Sequence, residues 1–408
     1  MEVNCTHCNN STSADLKSDF IVFVCPQCQT VWEKDEIGEL KKKETGRKTI
    51  TYPTIAVGHS GMINGETYTV TGVMIKKAYG SYYWAEYILE NSKGEFTFLS
   101  EADGHWIMLK EVPEQYDVDN HPRLLTHDSR AMNLFQYTNT QLYLAKGFFN
   151  TKIPKGDIHL VEYILPPHLI SIEKYNGVET TFFGEHISSK AVSKAFPSYT
   201  MPLKSGAGMV QPFKFDVNIM AIIFCSAAIL ILLSHYFIYR DQTEQQVLSR
   251  DFFFAEFDGK DFTSQSFQLD GGSAPLTVRV HSEVDNSWAN LQVALINEQS
   301  NEQIYASKDV EYYHGVTQGE SWSEGSVGDT FNICGVKAGK YHLVLTPQKA
   351  PEDRANQLIS VNVVWNRPST RNAWFLIIGL ALVCIGMYIT KKQFEQKRWS
   401  DSSFSPYI

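Results

Sequence analysis

VNIMAIIFCSAAILILLSHYFIY, Val217 to Tyr239, runs for 23 residues without an Asp, Glu, Lys or Arg. At 1.5 Å per residue it covers roughly 34 Å, enough for a hydrocarbon layer of about 30 Å. It lacks the polar face that a soluble helix shows every 3.6 residues. AWFLIIGLALVCIGMYIT, Ala373 to Thr390, has the same character over 18 residues, with Trp374 and Tyr388 placed as interface anchors. Both are expected to be transmembrane helices. They split the chain into a long N-terminal part, a stretch between the helices, and a short tail.

Orientation follows from the positive charges near the ends. Lys391, Lys392, Lys397 and Arg398 follow the second segment, and only Arg367 and Arg371 lie just before it. This predicts a cytoplasmic C-terminus. Two spans then bring the N-terminus to the same side and put residues 240–372 outside. The first residues, MEVNCTHCNN, have no apolar core ahead of a cleavage site, so no signal peptide is expected there.

The formal net charge of −9 argues against a nucleic-acid face. Residues 240–372 hold 18 acidic and 11 basic side chains, so most of the negative charge falls in the stretch between the helices. Such a charge balance is that of a solvated, soluble surface; the alternative is a domain that repels anionic polymers and accommodates a cationic small ligand, a divalent cation or a basic protein.

Four of the seven cysteines stand in the first 28 residues, as Cys5-Thr6-His7-Cys8 and Cys25-Pro26-Gln27-Cys28. Each CxxC turn presents two thiolates on one side. Two such turns, with a strand-like Asp19–Val24 run between them, complete a tetrahedral four-sulfur shell. A structural Zn²⁺ held by Cys5, Cys8, Cys25 and Cys28 is expected. The shell is closed, so it offers no position for a catalytic water. Residues 1–35 read as a zinc ribbon and 36–50 as a charged linker.

The next 140 residues alternate apolar and polar side chains, as half-buried strands do. Ala85-Glu86-Tyr87-Ile88-Leu89 is echoed by Val161-Glu162-Tyr163-Ile164-Leu165, and Glu95–Leu99 by Glu179–Phe183. Asp103-Gly104-His105-Trp106 then lines up with Gly184-Glu185-His186-Ile187. The offset grows from 76 to 84, which suggests an insertion around Pro166-Pro167. Two small antiparallel β units are expected, at 51–115 and 120–195, with a linker at 196–216. Glu86, Glu162, His105 and His186 are candidates for a pocket there; the alternative is a satisfied polar face, with Tyr87 and Tyr163 pointing the other way.

Residues 250–366, between the helices at 217–239 and 373–390, show about eight short strands and imply an extracytoplasmic β-sandwich of jelly-roll or immunoglobulin-like type. Its segment from Glu311 to Gly325 is dense in rings and carboxylates. Tyr312, His314, Trp322 and Glu324 are candidate ligand contacts, for a cation over ring faces or a stacked sugar; the alternative is an ordered loop that closes one end of the sandwich. Residues 391–408 read as a cytoplasmic tail.

The chain resembles an uncharacterised bacterial membrane family, classed as a domain of unknown function. The likeness lies in the CxxC pairs, the tandem Glu-Tyr-Ile-Leu units, Pro166-Pro167, Asn286-Ser287-Trp288 and Glu311-Tyr312-Tyr313-His314-Gly315. It implies a place in the bacterial inner membrane and an accessory role, and it carries no active site. HExxH, GxSxG, Walker A and GxGxxG patterns are absent from the sequence. The sequence therefore reads as a mainly β, two-span, non-enzymatic scaffold or sensor of the envelope. It would bind a ligand or partner outside and proteins inside. Two alternatives stay open: a membrane-bound enzyme using the β-unit pocket, and an accessory subunit of a larger membrane complex.

Overall fold

The computed structural model describes residues 1–46, 53–78, 82–240, 243–366 and 369–407. The chain is mainly β, with antiparallel sheets, and forms two compact units: Met1–Asn218 with Ile385–Ile408, and Ile219–Cys384.

In the first unit, β1 (Glu2–Asn4), β2 (Ser11–Ser13), β3 (Val22–Val24), β4 (Val31–Lys34) and β5 (Leu40–Glu44) build the cysteine module. The charged stretch read as a linker carries β5. Its alternating lysines meet acids nearby, with Lys41 on Asp35 and Glu39 and Lys43 on Glu33, so a run of charge serves as a strand. Residues 47–52, where that linker was read to enter the first β unit, lie outside the described residues, as does Arg367.

The strands that follow are β6 (Ser60–Ile63), β7 (Glu66–Lys77), β8 (Tyr83–Asn91), β9 (Phe96–Ala102), β10 (His105–Val112), β11 (Leu124–His127), β12 (Arg130–Phe149), β13 (Asp157–Leu165), β14 (His168–Tyr175) and β15 (Val178–Ile187). β7 to β10 form one meander and β12 to β15 a second. Their last strands pair, β10 with β15, and their first strands pair, β7 with β12. The two expected units thus close into a single eight-stranded antiparallel barrel. α1 (Ser189–Ala195), capped by the Ser188 hydroxyl, follows it.

The barrel refines the internal repeat. β8 and β13 are both second strands of their meanders, so Glu86 and Glu162 do occupy equivalent places. The second match does not hold: Phe96–Leu99 is in the third strand of one meander, Glu179–Phe183 in the fourth of the other. Both follow a glycine turn, at Gly94 and Gly177, with positive φ, and alternating strands after such turns look alike. Pro166-Pro167 is the turn from β13 to β14 and marks no insertion.

The second unit holds α2 (Val217–Tyr239), which coincides with the first apolar segment. Next come β16 (Gln245–Phe253), α3 (Phe254–Phe257), β17 (Phe262–Thr263), β18 (Phe267–Leu269), β19 (Ala274–Ser282), β20 (Ser287–Asn297), β21 (Gln303–Thr317), β22 (Glu320–Ser326), β23 (Gly328–Val336), β24 (Gly339–Lys349) and β25 (Leu358–Trp365). They make two sheets, β16-β25-β19-β23 and β17-β24-β20-β21-β22, with β18 also on β24. The inward alternate residues, among them Leu276, Val278, Leu291, Val293, Leu343 and Val361, form one apolar core. α4 (Arg371–Arg398) begins in this unit and ends in the first. It runs eight residues beyond Thr390, where the second apolar segment was read to end. α2 and α4 are long and apolar enough to cross a membrane, and most of their apolar side chains are exposed.

Candidate functional site

Three places carry chemistry. The first is the cysteine module. Cys5 and Cys8 come from the turn between β1 and β2, Cys25 and Cys28 from the turn between β3 and β4. Cys5 Sγ lies 3.7 Å from Cys28 Sγ and Cys8 Sγ 3.6 Å from Cys25 Sγ, and all four sulfurs fall within 4.8 Å of one another. A tetrahedral ion with bonds of about 2.3 Å needs sulfurs about 3.8 Å apart, so the donor set fits a metal ion. Burial pushes the Cys25 thiol up to about 12. Cys28 is also part-buried, but hydrogen bonds from Thr30 and the neighbouring Cys8 and Cys25 outweigh that and draw it down to about 6. A bound cation would favour the thiolate at all four. His7 is not one of the clustered groups.

The second place is the barrel interior. Lys76 on β7 reaches Glu173 on β14, three strands round the ring, at 2.5 Å, and Glu86 on β8 at 2.8 Å. A contact that crosses the ring must lie inside it. Strand alternation then puts Glu162 inside as well, hydrogen-bonded by the Gln136 amide, while Trp84 Nε1 donates to Glu86 at 2.8 Å. Tyr87 and Tyr163, one residue further along, face outward and are buried in separate apolar clusters.

The electrostatics follow from this enclosure. Burial works against the Lys76 ammonium, but Glu173 and Glu86 outweigh it and hold Lys76 above its ordinary value. Burial also raises Glu173, against the pull of Lys76. It pushes Glu162 up to about 7; the Gln136 hydrogen bond opposes the shift and the carboxylates of Glu173 and Glu86 add to it.

Both ends of this interior are packed. Val22 and Val24 of β3 and Phe149 lie against Ile88, Met74 and Phe96. Val210 and Trp399 lie against Leu109, Phe135, Ile164 and Leu169. The residues read as a free tail are therefore docked. Arg398 is buried, giving Nη1 to the carbonyls of Gly208 (2.6 Å) and Met209 (2.8 Å) and Nη2 to that of Gln211 (2.5 Å), with Glu395 as its ion pair. Ser402 donates to the Phe135 carbonyl at 2.5 Å. Glu90 ties the cysteine module to β8 by accepting from the backbone N–H groups of Lys17 and Ser18.

The expected four-residue pocket is split. The structure brings Glu86 and Glu162 together but sets His105 and His186 elsewhere. His105 is buried, with Nε2 3.0 Å from the Ser205 carbonyl and Gly208 packed on its ring. His186 lines an open cavity of about 630 Å³ with Ile63, Glu66, Lys110 and Glu185, which neither Glu86 nor Glu162 reaches. Burial lowers both histidines, so both stay neutral at physiological pH. Sequence reasoning missed Lys76, Glu173 and Arg398. Glu173 was findable, since it shares the alternate face of Ser171, the partner of Glu162. Lys76 was not, because a bulge between Val70 and Gly72 resets the parity of β7.

The third place is the β21–β22 hairpin. Alternation divides its four candidates. Tyr312 and His314 share one face, their rings 5.6 Å apart, with His314 Nε2 2.7 Å from Asp285; Trp322 and Glu324 occupy the other. An open cavity of about 380 Å³ lies along the hairpin.

Residues 56–189 match the family model of a domain of unknown function, DUF4178. The match begins just ahead of β6 and ends at the start of α1, so the DUF4178 stretch is the barrel. No curated protein matches the chain. Among solved structures, the chain is similar to one of the Gx strain of infectious bursal disease virus (10% identity, 88% of this chain, 70% of that chain, TM-score 0.18). It is also similar to carbohydrate-binding modules of a β-sandwich superfamily (11%, 69%, 92%, 0.13) and to a Trypanosoma rangeli sialidase (8%, 85%, 77%, 0.11). At such TM-scores none of these says anything about DUF4178 or the sandwich.

Proposed function

We propose that this chain is a non-enzymatic scaffold or sensor anchored in a bacterial inner membrane. Its DUF4178 barrel and cysteine module face the cytoplasm, and its β-sandwich faces outward. The four thiolates would hold a structural Zn²⁺, which keeps the module rigid for contact with cytoplasmic proteins. One observation carries the reading: Arg398, at the end of the second long helix, grips the carbonyls of residues 208–211, just ahead of the first. A chain that enters and returns at one clamp fits two spans with both ends on one side. The barrel interior is filled by paired charges and packed at both ends, which favours binding at exposed faces over turnover inside.

Two experiments test it. Cys334 is exposed on the sandwich, whereas Cys225 and Cys384 lie in the long helices. A membrane-impermeant maleimide should label Cys334 in intact cells; labelling only after lysis would reverse the orientation. Affinity purification of the full chain should retrieve proteins that are lost on deleting residues 1–35. Retrieval of the chain alone, holding a small molecule, would favour the second reading, a membrane-bound enzyme. That reading draws on Glu162, whose carboxyl titrates near neutrality.

A further inference from the structure

The outer face of the six-stranded sheet carries a diagonal of rings. Trp288 on β20 pairs with Glu311 on β21; Tyr313 pairs with Glu324 on β22; Gly315 pairs with Trp322. Each step moves one strand over and two residues along, so the three aromatic positions stand roughly 8 Å apart. Val310 and Ala289, of the opposite parity, are buried in the core, so this face points to solvent. Trp322 is held as a platform. Its indole lies across Gly315, where a Cβ would come within 2.9 Å of the ring, and its Nε1 donates to Thr317 at 3.0 Å. The residue is packed on Gly315 and remains 46% exposed.

Two further observations choose the occupant. Glu311, Glu320 and Glu324 are exposed on this face, and none meets a Lys or Arg among the described residues. β22 is an edge: it pairs only with β21, all seven of its residues are exposed, and no described strand covers its other side. A bare edge offers a row of N–H and C=O groups to an extended chain, and unpaired carboxylates beside fixed rings select cations.

We propose that β22 accepts an extended, Lys/Arg-rich segment of another protein as an added strand. Its alternate cations would sit over Trp322 and against Glu320 and Glu324. This rests on reading the sandwich as the partner-binding part, but binding in vitro does not depend on which side of a membrane it faces.

The test uses the full chain in nanodiscs of phosphatidylcholine, which carries no net charge. The probe is a fluorescein-labelled decapeptide alternating Lys and Thr, followed by anisotropy. Saturable binding is expected, weakened about fivefold or more by Trp322→Ala and abolished by Glu320→Lys with Glu324→Lys. Methylating the peptide nitrogens along one edge should also weaken it at least about tenfold, since strand addition needs those donors. If Trp322→Ala melts early, Trp322→Phe, with partial retention expected, replaces it. No saturable binding up to about 1 mM overturns the proposal, as does indifference to the double charge reversal. Equal binding of the methylated peptide overturns strand addition. Displacement by cellohexaose would make the face a carbohydrate site and also overturn it.

Discussion

The barrel and the sandwich are both antiparallel and alternating, yet they bury opposite kinds of side chain. In the sandwich the apolar face is the inside: Leu276, Val278, Leu291 and Leu343 meet between two sheets, and Asp309, Glu311 and Glu324 stay in solvent. In the barrel the inward face is enclosed and part of the outward face is covered as well. Its outward face packs under Ile55, Val192 and Phe196, and its inward face holds Lys76, Glu86, Glu162 and Glu173. Alternation reports that a strand has two faces; it does not report which one is enclosed. A charge on a barrel strand can therefore be the most buried group present, and the two regions should respond differently to the same kind of substitution.

The largest difference should come from the cysteine module, which adjoins the barrel and has no counterpart in the sandwich. Its short strands hold only a small apolar cluster, so a metal ion on the four thiolates would supply much of its order, on the order of 10 kcal/mol for such a site. Chelation, or Cys25→Ser, should expose the amides of residues 1–46 to rapid hydrogen exchange and leave those of β19 and β25 protected. Unchanged protection in the module would mean that its core suffices without metal.

Next is the buried network. Lys76→Met removes the only described cation facing Glu86 and Glu173 and leaves both carboxylates without a counter-ion, at a cost of about 3–5 kcal/mol. The sandwich should melt as before. A loss under about 1 kcal/mol would mean that protons or water replace the ammonium freely, and the contrast with the sandwich would be one of composition only. Arg398→Ala should cost somewhat less, about 3 kcal/mol, because it strands neutral carbonyls, those of Met209 and Gln211 only part-buried, rather than buried carboxylates. The readout is tail proteolysis: residues 399–407 should become cleavable while the sandwich resists.

These outcomes bear on what the sequence could reveal. The two long helices, the sandwich and the four clustered cysteines were legible, because each depends on a short-range signal: length, alternation or CxxC spacing. The equivalence of Glu86 and Glu162 was also legible. Ring closure was not, since the pairing of β7 with β12 joins residues some 70 positions apart and leaves no local trace. The pocket was therefore drawn around histidines that the barrel places elsewhere, and the partners of the glutamates went unseen. Tail docking depends on one arginine, which a positive-charge count treats as a topology signal and nothing more.

The smallest expected effect separates the two regions by pH. Glu162 titrates near 7 in the folded chain, against an ordinary value of 4.5. A raised carboxyl holds, in the native state, a proton that the unfolded chain has already released. Stability is therefore full below about pH 4.5 and declines as pH rises toward 7, by an upper bound of about 3 kcal/mol and, once neighbours relax, about 2. Glu162→Gln keeps the shape and removes the titration, so the variant should melt alike at pH 5 and gain on the wild type at pH 8. Comparing the two chains isolates Glu162 from Glu173, which is raised in both. Among the described residues no charged side chain is buried in the sandwich, so its transition should show no such difference between the chains. If wild type and variant keep the same gap from pH 5 to 8, the Glu162 carboxyl is not held neutral. The barrel interior would then be wet enough to ionise it, and the enclosure that distinguishes the barrel from an ordinary polar sheet face would be lost.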